Sequence, residues 1–170
     1  MLEIKNIVVG ALQTNCYLLY QKGEMVVIDP GGDAEKIISE IKKIGVSPKY
    51  IINTHGHPDH IMANEEIRKN TGAEIIRELK EGEKIRVGEA SLEILHAPGH
   101  TKDSFCLKGS NFLIGGDVLF ADGYGRTDLP GGSEEEMKET IEKLKKELPA
   151  DTVVYPGHGE KFSIKDHFLF

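Results

Sequence analysis

The sequence predicts a layered α/β domain in which amphipathic helices cover the outer faces of β-sheets. Short runs rich in Val, Ile, Leu and aromatic residues recur along the 170 residues, bounded by Gly, Pro, Asn or Asp, as is typical of strands. Between them lie segments whose apolar residues are spaced three and four apart, which is typical of helices with one buried face. Sheets interrupted by such helices indicate helix layers packed on sheet layers.

The first third of the chain is predicted to hold three strands, a helix and a fourth strand. The strands are LEIKNIVVG, NCYLLYQ and EMVVIDPGG, with Lys22-Gly23 as a hairpin turn. Apolar residues on one face predict a helix over 34–43, and Asp33 is placed to cap its N-terminus. Residues 49–53 then form a short apolar strand, which runs directly into the segment THGHPDH.

The rest of the chain is predicted to contain two more helices and a second group of strands. One helix runs over 61–69, and Ser133 with Glu136 forms a capping box for the other. Residues 151–155 form a last buried strand. The strand-rich stretch between the helices consists of AEIIRE, KIRVG, SLEILHA, SFCLKG and NFLIGGD.

Composition and charge argue against several classes of protein. A formal net charge of −7 disfavours nucleic acid as a partner, because phosphate binding needs a basic surface. No apolar stretch is long enough to span a membrane, and the first residues lack the apolar run of a signal peptide. Cys16 and Cys106 belong to no CxxC pair and are expected to be core residues in a reducing compartment. We therefore expect a cytoplasmic protein.

The segment HGHPDH concentrates metal-binding side chains. His55 and His57 follow a strand and, in extended geometry, project the same way. Pro58 bends the chain, so that Asp59 and His60 start the next helix and point into the same hollow from another direction. Imidazoles crowded without a metal are costly to bury or to charge. The segment therefore predicts a metal site.

Three further donors lie at the ends of other predicted strands. They are His100 in APGHT, Asp117 in IGGDVLF and His158 in YPGHG. Each lies beside Gly, which leaves room for a metal ion. Taken singly each would be an ordinary polar residue, but their shared position after a strand groups them with the histidine-rich segment.

The donor count indicates two metal ions. Three imidazoles suit one ion, namely His55, His57 and His100. A second ion is suited by Asp59, His60 and His158, and Asp117 can bridge the two. Nitrogen and oxygen donors without a thiolate fit zinc, iron or manganese. A water bound to zinc ionises near pH 7. No Ser or Cys nucleophile is needed, and Asp59 is the candidate for orienting the water and relaying its proton.

The set HGHPDH, His100, Asp117 and His158 resembles the HxHxDH–H–D–H pattern of the metallo-β-lactamase superfamily. Residues 116–120, 125–128 and 129–132 (GDVLF, GRTD and LPGG) are similar to its glyoxalase II-like branch. The resemblance implies a four-layer αββα sandwich of two mixed sheets flanked by helices, with two divalent ions, zinc by preference, at one edge. It implies hydrolysis of a thioester by a metal-bound hydroxide, with an S-acyl derivative of glutathione or a similar small thiol as substrate.

The organisation and the competing functions follow from the same resemblance. Residues 1–170 are expected to form a single domain without the extra C-terminal helical domain of full glyoxalase II enzymes. One alternative is an oxidoreductase similar to persulfide dioxygenases, which would use one iron at His55, His100 and Asp117. Another is hydrolysis of a different small ester or lactone. The acyl group, the native metal and the oligomeric state stay open.

Several other residues have two interpretations. Asp29 either accepts a hydrogen bond from a metal-binding His or shapes a turn at a strand end. Arg126 either forms a buried ion pair with Asp128, the favoured interpretation, or binds a substrate carboxylate. Tyr124 either contacts substrate or packs in its loop. His96 and His167 are expected not to bind metal.

Overall fold

Two mixed sheets form the framework of the protein, whose computed structural model describes residues 1–170. The first sheet has the strand order β1-β2-β3-β4-β5. Its strands are β1 (Glu3–Val9), β2 (Thr14–Gln21), β3 (Glu24–Ile28), β4 (Tyr50–Ile52) and β5 (Glu74–Ile75).

The second sheet has six strands and carries a small hairpin at its margin. Its strand order is β13-β12-β9-β8-β7-β6, and β10 pairs with β11 alone. The strands are β6 (Lys84–Val87), β7 (Ala90–His96), β8 (Phe105–Lys108), β9 (Phe112–Gly116), β10 (Leu119–Phe120), β11 (Gly123–Tyr124), β12 (Val153–Pro156) and β13 (Phe162–Ser163).

Helices cover the outer faces of both sheets. They are α1 (Ala34–Ile44), α2 (Pro58–Ile61), α3 (Asn64–Thr71) and α4 (Glu134–Glu147), with a 3-10 turn at Ile164–Asp166. The predicted cap of α4 is present, since the Ser133 hydroxyl accepts the backbone N–H of Glu136. None of the helices has the length and apolar character that crossing a bilayer requires.

Three hydrophobic cores lie between successive layers. The first packs α1 and α3 on the outer face of the first sheet, where Ile37 and Ile67 join Leu18. The second fills the space between the sheets, where Leu19 meets Leu107. The third packs α4 on the outer face of the second sheet. The order helix, sheet, sheet, helix confirms the predicted four-layer sandwich.

The loops with the predicted site residues leave the sheets at one edge. Strands β3 and β4 run parallel and end there, before Asp29 and His55. Strands β9 and β12 also run parallel and end there, before Asp117 and His158. A bridge between Thr14, the first residue of β2, and His158 joins the two sheets at this edge. Parallel pairing thus gathers residues that are far apart in sequence.

Three predictions about local structure were wrong. Asp33 does not cap α1: it has a positive φ of 47°, and its carboxylate accepts the N–H of Gly10 instead. The helix predicted over 61–69 is divided between α2 and α3, because the N–H of Ala63 bonds to the carbonyl of Pro30. In the predicted strand AEIIRE only the two residues of β5 pair.

Candidate metal centre

The structure brings all seven predicted donor residues into one hollow at the shared edge of the sheets. Their ligand atoms fall into overlapping groups in which every atom lies within 4.8 Å of the others. The groups are His55, His57 and His100; His55, His60 and Asp117; and Asp59, His60 and His158. The first and the last of these are the two groups of the donor count, and they are called the first group and the second group from here on. Asp117 lies between them and adds a carboxylate to the second group.

In the first group three imidazole nitrogens face one another. His57 Nδ1 lies 3.0 Å from His55 Nε2 and 2.9 Å from His100 Nε2. The outer nitrogens of His55 and His100 are already engaged. His100 Nδ1 donates to the carbonyl oxygen of Arg126 at 2.8 Å, and His55 Nδ1 lies 3.2 Å from Thr54 Oγ1, whose own proton goes to Asp29. Both Nε2 atoms therefore point lone pairs at His57.

A cation fits this arrangement better than hydrogen bonds do. One proton on His57 Nδ1 can serve only one of the two facing lone pairs, whereas an ion accepts all three. Two nitrogens that bind one ion at about 2.1 Å cannot lie more than about 4.2 Å apart, and the observed separations fall within that limit. Burial lowers the pKa of His55 to about 4, aided by the neighbouring His60, and burial also lowers the pKa of His57. Both rings are therefore neutral at pH 7, as metal binding requires.

The second group combines two imidazoles with two carboxylates. His60 Nε2 lies 3.4 Å from Asp59 Oδ2 and 3.4 Å from Asp117 Oδ1, and His158 Nε2 lies 3.3 Å and 3.5 Å from the same two carboxylates. Donors bound at about 2.1 Å with tetrahedral angles lie about 3.4 Å apart. His60 Nε2 and Asp117 Oδ1 are buried and have no hydrogen-bond partner. An ion between them would satisfy both atoms.

The charges around His60 also call for a cation. Burial alone would lower its pKa, but the carboxylates of Asp29 and Asp117 raise it to about 10. Burial alone would raise the pKa of Asp117, yet contacts with His158 and His60 hold it well below its ordinary value. Contact with Asp117 raises the pKa of His158. Positive charge is therefore stabilised at this point, supplied either by protons or by a metal ion.

Asp29 fixes His60 and is buried beneath the centre. Its carboxylate accepts His60 Nδ1–H at 2.9 Å, the N–H of Thr54 at 2.7 Å and the Thr54 hydroxyl at 2.7 Å. Its positive φ of 51° turns the side chain off the end of β3. The hydrogen-bonding interpretation of Asp29 is therefore supported, and the residue also ends its strand. The backbone carbonyl of Leu12 orients His158 as Asp29 orients His60, because it accepts a hydrogen bond from His158 Nδ1 at 3.0 Å.

Two threonines at the centre were not predicted from the sequence. Thr54 links Asp29 to His55, as described above, and the hydroxyl of Thr14 donates to Asp59 Oδ2 at 3.0 Å. A threonine at the start or end of a strand is common, so neither carries a local signal. The bridge between the two sheets could have indicated Thr14 only once the topology was known.

Gly157 allows the second group to close. A Cβ atom at this position would lie 2.1 Å from Asp117 Oδ1 and 2.9 Å from His60 Cε1, which no side chain can do without displacing them. The expectation that glycine beside the predicted donors leaves room for a metal ion is supported most clearly here.

A pocket of about 710 Å³ opens over the centre. Its walls include His100, Asp117 and His158 from the donor set, together with Phe120 and Arg126. The hollow is large enough for a small-molecule substrate to reach the donors.

Arg126 and Tyr124 have partners within their loop. The guanidinium of Arg126 donates two hydrogen bonds to Asp128, at 2.7 and 2.8 Å. The prediction that this pair is buried was wrong, since the side chains of Arg126 and Asp128 are 61% and 69% exposed. The hydroxyl of Tyr124 donates to Glu134 at 2.8 Å, and Tyr124 is not among the residues that line the pocket.

The remaining histidines and the cysteines lie outside the centre. His96 is exposed, and its ring contacts the carbonyl of Lys102. His167 is buried against the β10–β11 hairpin. Cys16 and Cys106 are fully buried core residues, and burial raises the pKa of both thiols.

Comparison with known sequences gives one family and several relatives. A family model described as the metallo-beta-lactamase superfamily matches residues 9–91 and 76–158. A "probable metallo-hydrolase YqgX" of Bacillus subtilis is 33% identical, covering 92% of this chain and 90% of its own. A "hydroxyacylglutathione hydrolase GloC" of Haemophilus influenzae is 31% identical, covering 96% of this chain and 93% of its own.

Comparison with solved structures gives matches over nearly the whole chain. BLEG-1 B3 metallo-beta-lactamase has a TM-score of 0.90 at 30% identity and covers 96% of this chain and 95% of its own. ETHE1 from Myxococcus xanthus has a TM-score of 0.90 at 26% identity and covers 96% of this chain and 80% of its own. TTHA1623 in a di-iron-bound form has a TM-score of 0.87 at 26% identity and covers 95% of this chain and 96% of its own.

Proposed function

This chain belongs to the metallo-β-lactamase superfamily, and we propose that it is a metallo-hydrolase that cleaves thioesters of small thiols at a centre with two divalent ions. The observation that carries the proposal is the convergence of two three-donor groups on one shared carboxylate, Asp117. The thioester class is supported by the Haemophilus influenzae relative named hydroxyacylglutathione hydrolase, which aligns with 96% of this chain.

Each group would hold one ion. The first would use the inward nitrogens of His55, His57 and His100, and the second would use Asp59, His60 and His158. Asp117 would contact both, because its Oδ2 lies 3.6 Å from His100 Nε2 and its Oδ1 lies 3.4 Å from His60 Nε2. Zinc fits these nitrogen and oxygen donors, and the di-iron form of a structural relative supports iron as the other candidate. Manganese stays a third.

The ions would supply an acidified water and a positive field for the substrate carbonyl oxygen. The residues of the chain would do the rest. Asp59 would orient the attacking water and take its proton, since its Oδ2 faces the inward nitrogen of His158 and is held by the Thr14 hydroxyl. Thr14 limits the carboxylate to one rotamer, so that one oxygen stays directed at the reacting atoms.

The pocket would receive the thioester with its carbonyl towards the two donor groups and the ions that they would hold. Phe120 provides an apolar wall, and its ring lies 6.2 Å from the ring of His158. Arg126 lines the same pocket, but its guanidinium is engaged by Asp128. We therefore propose that the substrate is held mainly by the ions and by Phe120, with Arg126 and Tyr124 acting in the loop.

The test is a panel of an S-acyl glutathione, a thioester of an uncharged small thiol, an oxygen ester and a lactone. The protein would be loaded in turn with zinc, iron and manganese. We expect the thioesters to be cleaved and Asp59→Asn to lose most turnover even when excess metal restores its full metal content. Asp151→Asn removes an exposed carboxylate far from the centre and serves as the matched control. Full turnover by a metal-loaded Asp59→Asn would exclude its proposed role, and cleavage of only the ester or lactone would refute the thioester proposal.

A second candidate is oxidation of a persulfide at a single iron. The donors it requires are His55, His100 and Asp117, which lie in the same hollow, with 3.6 Å between His100 and Asp117. One iron per chain, with oxygen uptake on adding a persulfide and no thioester cleavage, would establish this candidate in place of the hydrolase.

A further inference from the structure

His167 joins the C-terminal segment to the hairpin that forms a wall of the pocket. Only 3% of its surface is exposed, although the residues on either side of it are exposed. Its Nε2 lies 2.8 Å from the carbonyl oxygen of Phe120 and 3.1 Å from that of Gly123. Its Nδ1 accepts the N–H of Leu169 at 3.2 Å. A buried imidazole with both nitrogens bound to backbone is a fixed connection.

These contacts determine the tautomer of the ring. Carbonyl oxygens only accept, so the proton lies on Nε2 and is shared between Phe120 and Gly123. Leu169 N–H only donates, so Nδ1 carries the lone pair. Two aromatic rings flank the imidazole: that of Phe168 stacks on it with 4.9 Å between ring centroids, and that of Phe162 lies 5.2 Å away between centroids.

The segment that carries His167 is itself anchored to the second sheet. The N–H of Ile164 bonds to the carbonyl of Thr152 at 2.9 Å, and the N–H of Lys165 bonds to that of Ala150. The Ile164 side chain is buried in the core beneath α4. His167 therefore projects from a fixed position.

The hairpin that receives these bonds is anchored in the third core at Leu119, whereas Phe120 is only partly buried and the turn after it is exposed. Strands β10 and β11 are two residues long and pair only with each other. A two-stranded hairpin is marginal in water without external contacts. Its residues Phe120, Ala121 and Asp122 nevertheless line the pocket beside His158.

We propose that His167 is a positioning residue: its hydrogen bonds to the hairpin carbonyls hold Phe120 in place as the substrate-facing wall. The effect on turnover depends on the proposed function, whereas the effect on the hairpin does not. His167 touches no donor residue of the metal centre, so its removal leaves the metal content unchanged.

Two variants separate the hydrogen bonds from the packing. His167→Phe keeps a ring between Phe162 and Phe168 but removes the donor. His167→Gln carries an amide nitrogen at the reach of Nε2 and restores a donor. Amide hydrogen exchange over residues 119–124 is the first readout. We expect exchange to be about fivefold faster in His167→Phe, the size of one net hydrogen bond, and near wild type in His167→Gln.

Thioester kinetics are the second readout. We expect KM to rise several-fold in His167→Phe with kcat almost unchanged, and His167→Gln to reverse the change. In the background Phe120→Ala the same substitution should have no further effect on KM, because both act through one wall. A residue that only stabilises the fold would change both backgrounds equally.

Unchanged exchange over residues 119–124 in His167→Phe would overturn the proposal, as would faster exchange with unchanged KM. Equal KM effects with and without Phe120 would do the same. If the wild type cleaves no thioester, the proposed function fails, and hydrogen exchange alone decides whether His167 holds the hairpin.

Discussion

The two donor groups of the metal centre differ in how their imidazoles are oriented and charged. In the first, His55 and His100 are held by uncharged oxygens, those of Thr54 and the Arg126 carbonyl. In the second, His60 is held by a buried carboxylate, Asp29, and faces two more. The inward nitrogens are 2.9–3.0 Å apart in the first group, whereas nitrogens and oxygens are 3.3–3.5 Å apart in the second.

This difference indicates that the two ions would be bound for different reasons. The first group presents three lone pairs, and burial lowers the pKa of both His55 and His57, so geometry drives binding. The second is surrounded by carboxylates and is incomplete without positive charge. A metal ion that binds the second group must displace protons. A metal ion that binds the first group meets imidazoles whose protonation is already disfavoured by burial. Substitutions should therefore separate the two sites.

The largest effect is expected for Asp117→Asn, which alters both groups. We expect loss of the second ion, weaker binding of the first, and a fall in kcat/KM of roughly a thousandfold, because metal ions contribute several kcal/mol to such reactions. Metal analysis and thioester kinetics check this, with Asp151→Asn as control. Full metal content in Asp117→Asn would show that the carboxylate is not shared.

Gly157→Ala should remove the second ion and leave the first. The added methyl would lie 2.1 Å from Asp117 Oδ1, so that oxygen must move away from His60. Titration with Co²⁺, followed by its absorption spectrum, would then show one site in place of two. Gly123→Ala, at a partly exposed hairpin position with open space around the added atom and no positive φ, controls for loss of glycine. Two intact metal sites in Gly157→Ala would contradict the claim that Asp117 needs the space beside Gly157 to reach the second ion.

Asp29→Asn should weaken the second ion about 10–100-fold, the usual cost of losing the hydrogen-bond partner of a metal-binding His. The amide still accepts one hydrogen bond, but it no longer supplies negative charge to His60. The first ion should be affected less. Competition with a chelator measures both affinities, and equal losses at the two sites would contradict the comparison.

Binding of the second ion should depend on pH near neutrality, and binding of the first should not. The raised pKa of His60, about 10, means that this ring holds a proton at pH 7 which the ion must displace. The affinity of the second group for its metal ion should therefore fall as pH decreases, by about tenfold per pH unit for each proton displaced. His55, with a pKa of about 4, has no proton to lose above that pH. Calorimetry in buffers of different ionisation enthalpy counts the protons, and equal release at both sites would contradict the account.

The smallest effect is expected for Arg126→Ala. An exposed ion pair contributes little to stability because solvent screens it, and the backbone carbonyl that orients His100 is retained. We expect a small change in melting temperature and a change in KM of less than about threefold, because solvent screens the pair and the guanidinium is engaged by Asp128. A larger rise in KM, confined to substrates with a carboxylate, would instead establish Arg126 as a carboxylate-binding residue.

Periodic and clustered signals in the sequence predicted helix layers on sheet layers and the seven donor residues, whereas the four-layer order was implied by the family resemblance. Strand alternation, helical spacing and the motif HGHPDH are local patterns, and the isolated donors all follow apolar strands. What it missed depends on contacts distant in sequence. Asp33 bonds to Gly10 rather than to its own helix, and the break before α3 depends on Pro30. Thr14 lies at the metal centre because the two sheets meet at its bridge with His158, a contact that its local sequence does not indicate.

The most direct test of the central claim is the number of metal ions bound per chain, measured in protein purified without added metal and again after metal loading. The account predicts two ions in the wild type and one in His158→Ala, because that change removes a donor of the second group alone. One ion in the loaded wild type, unchanged in His158→Ala, would contradict it.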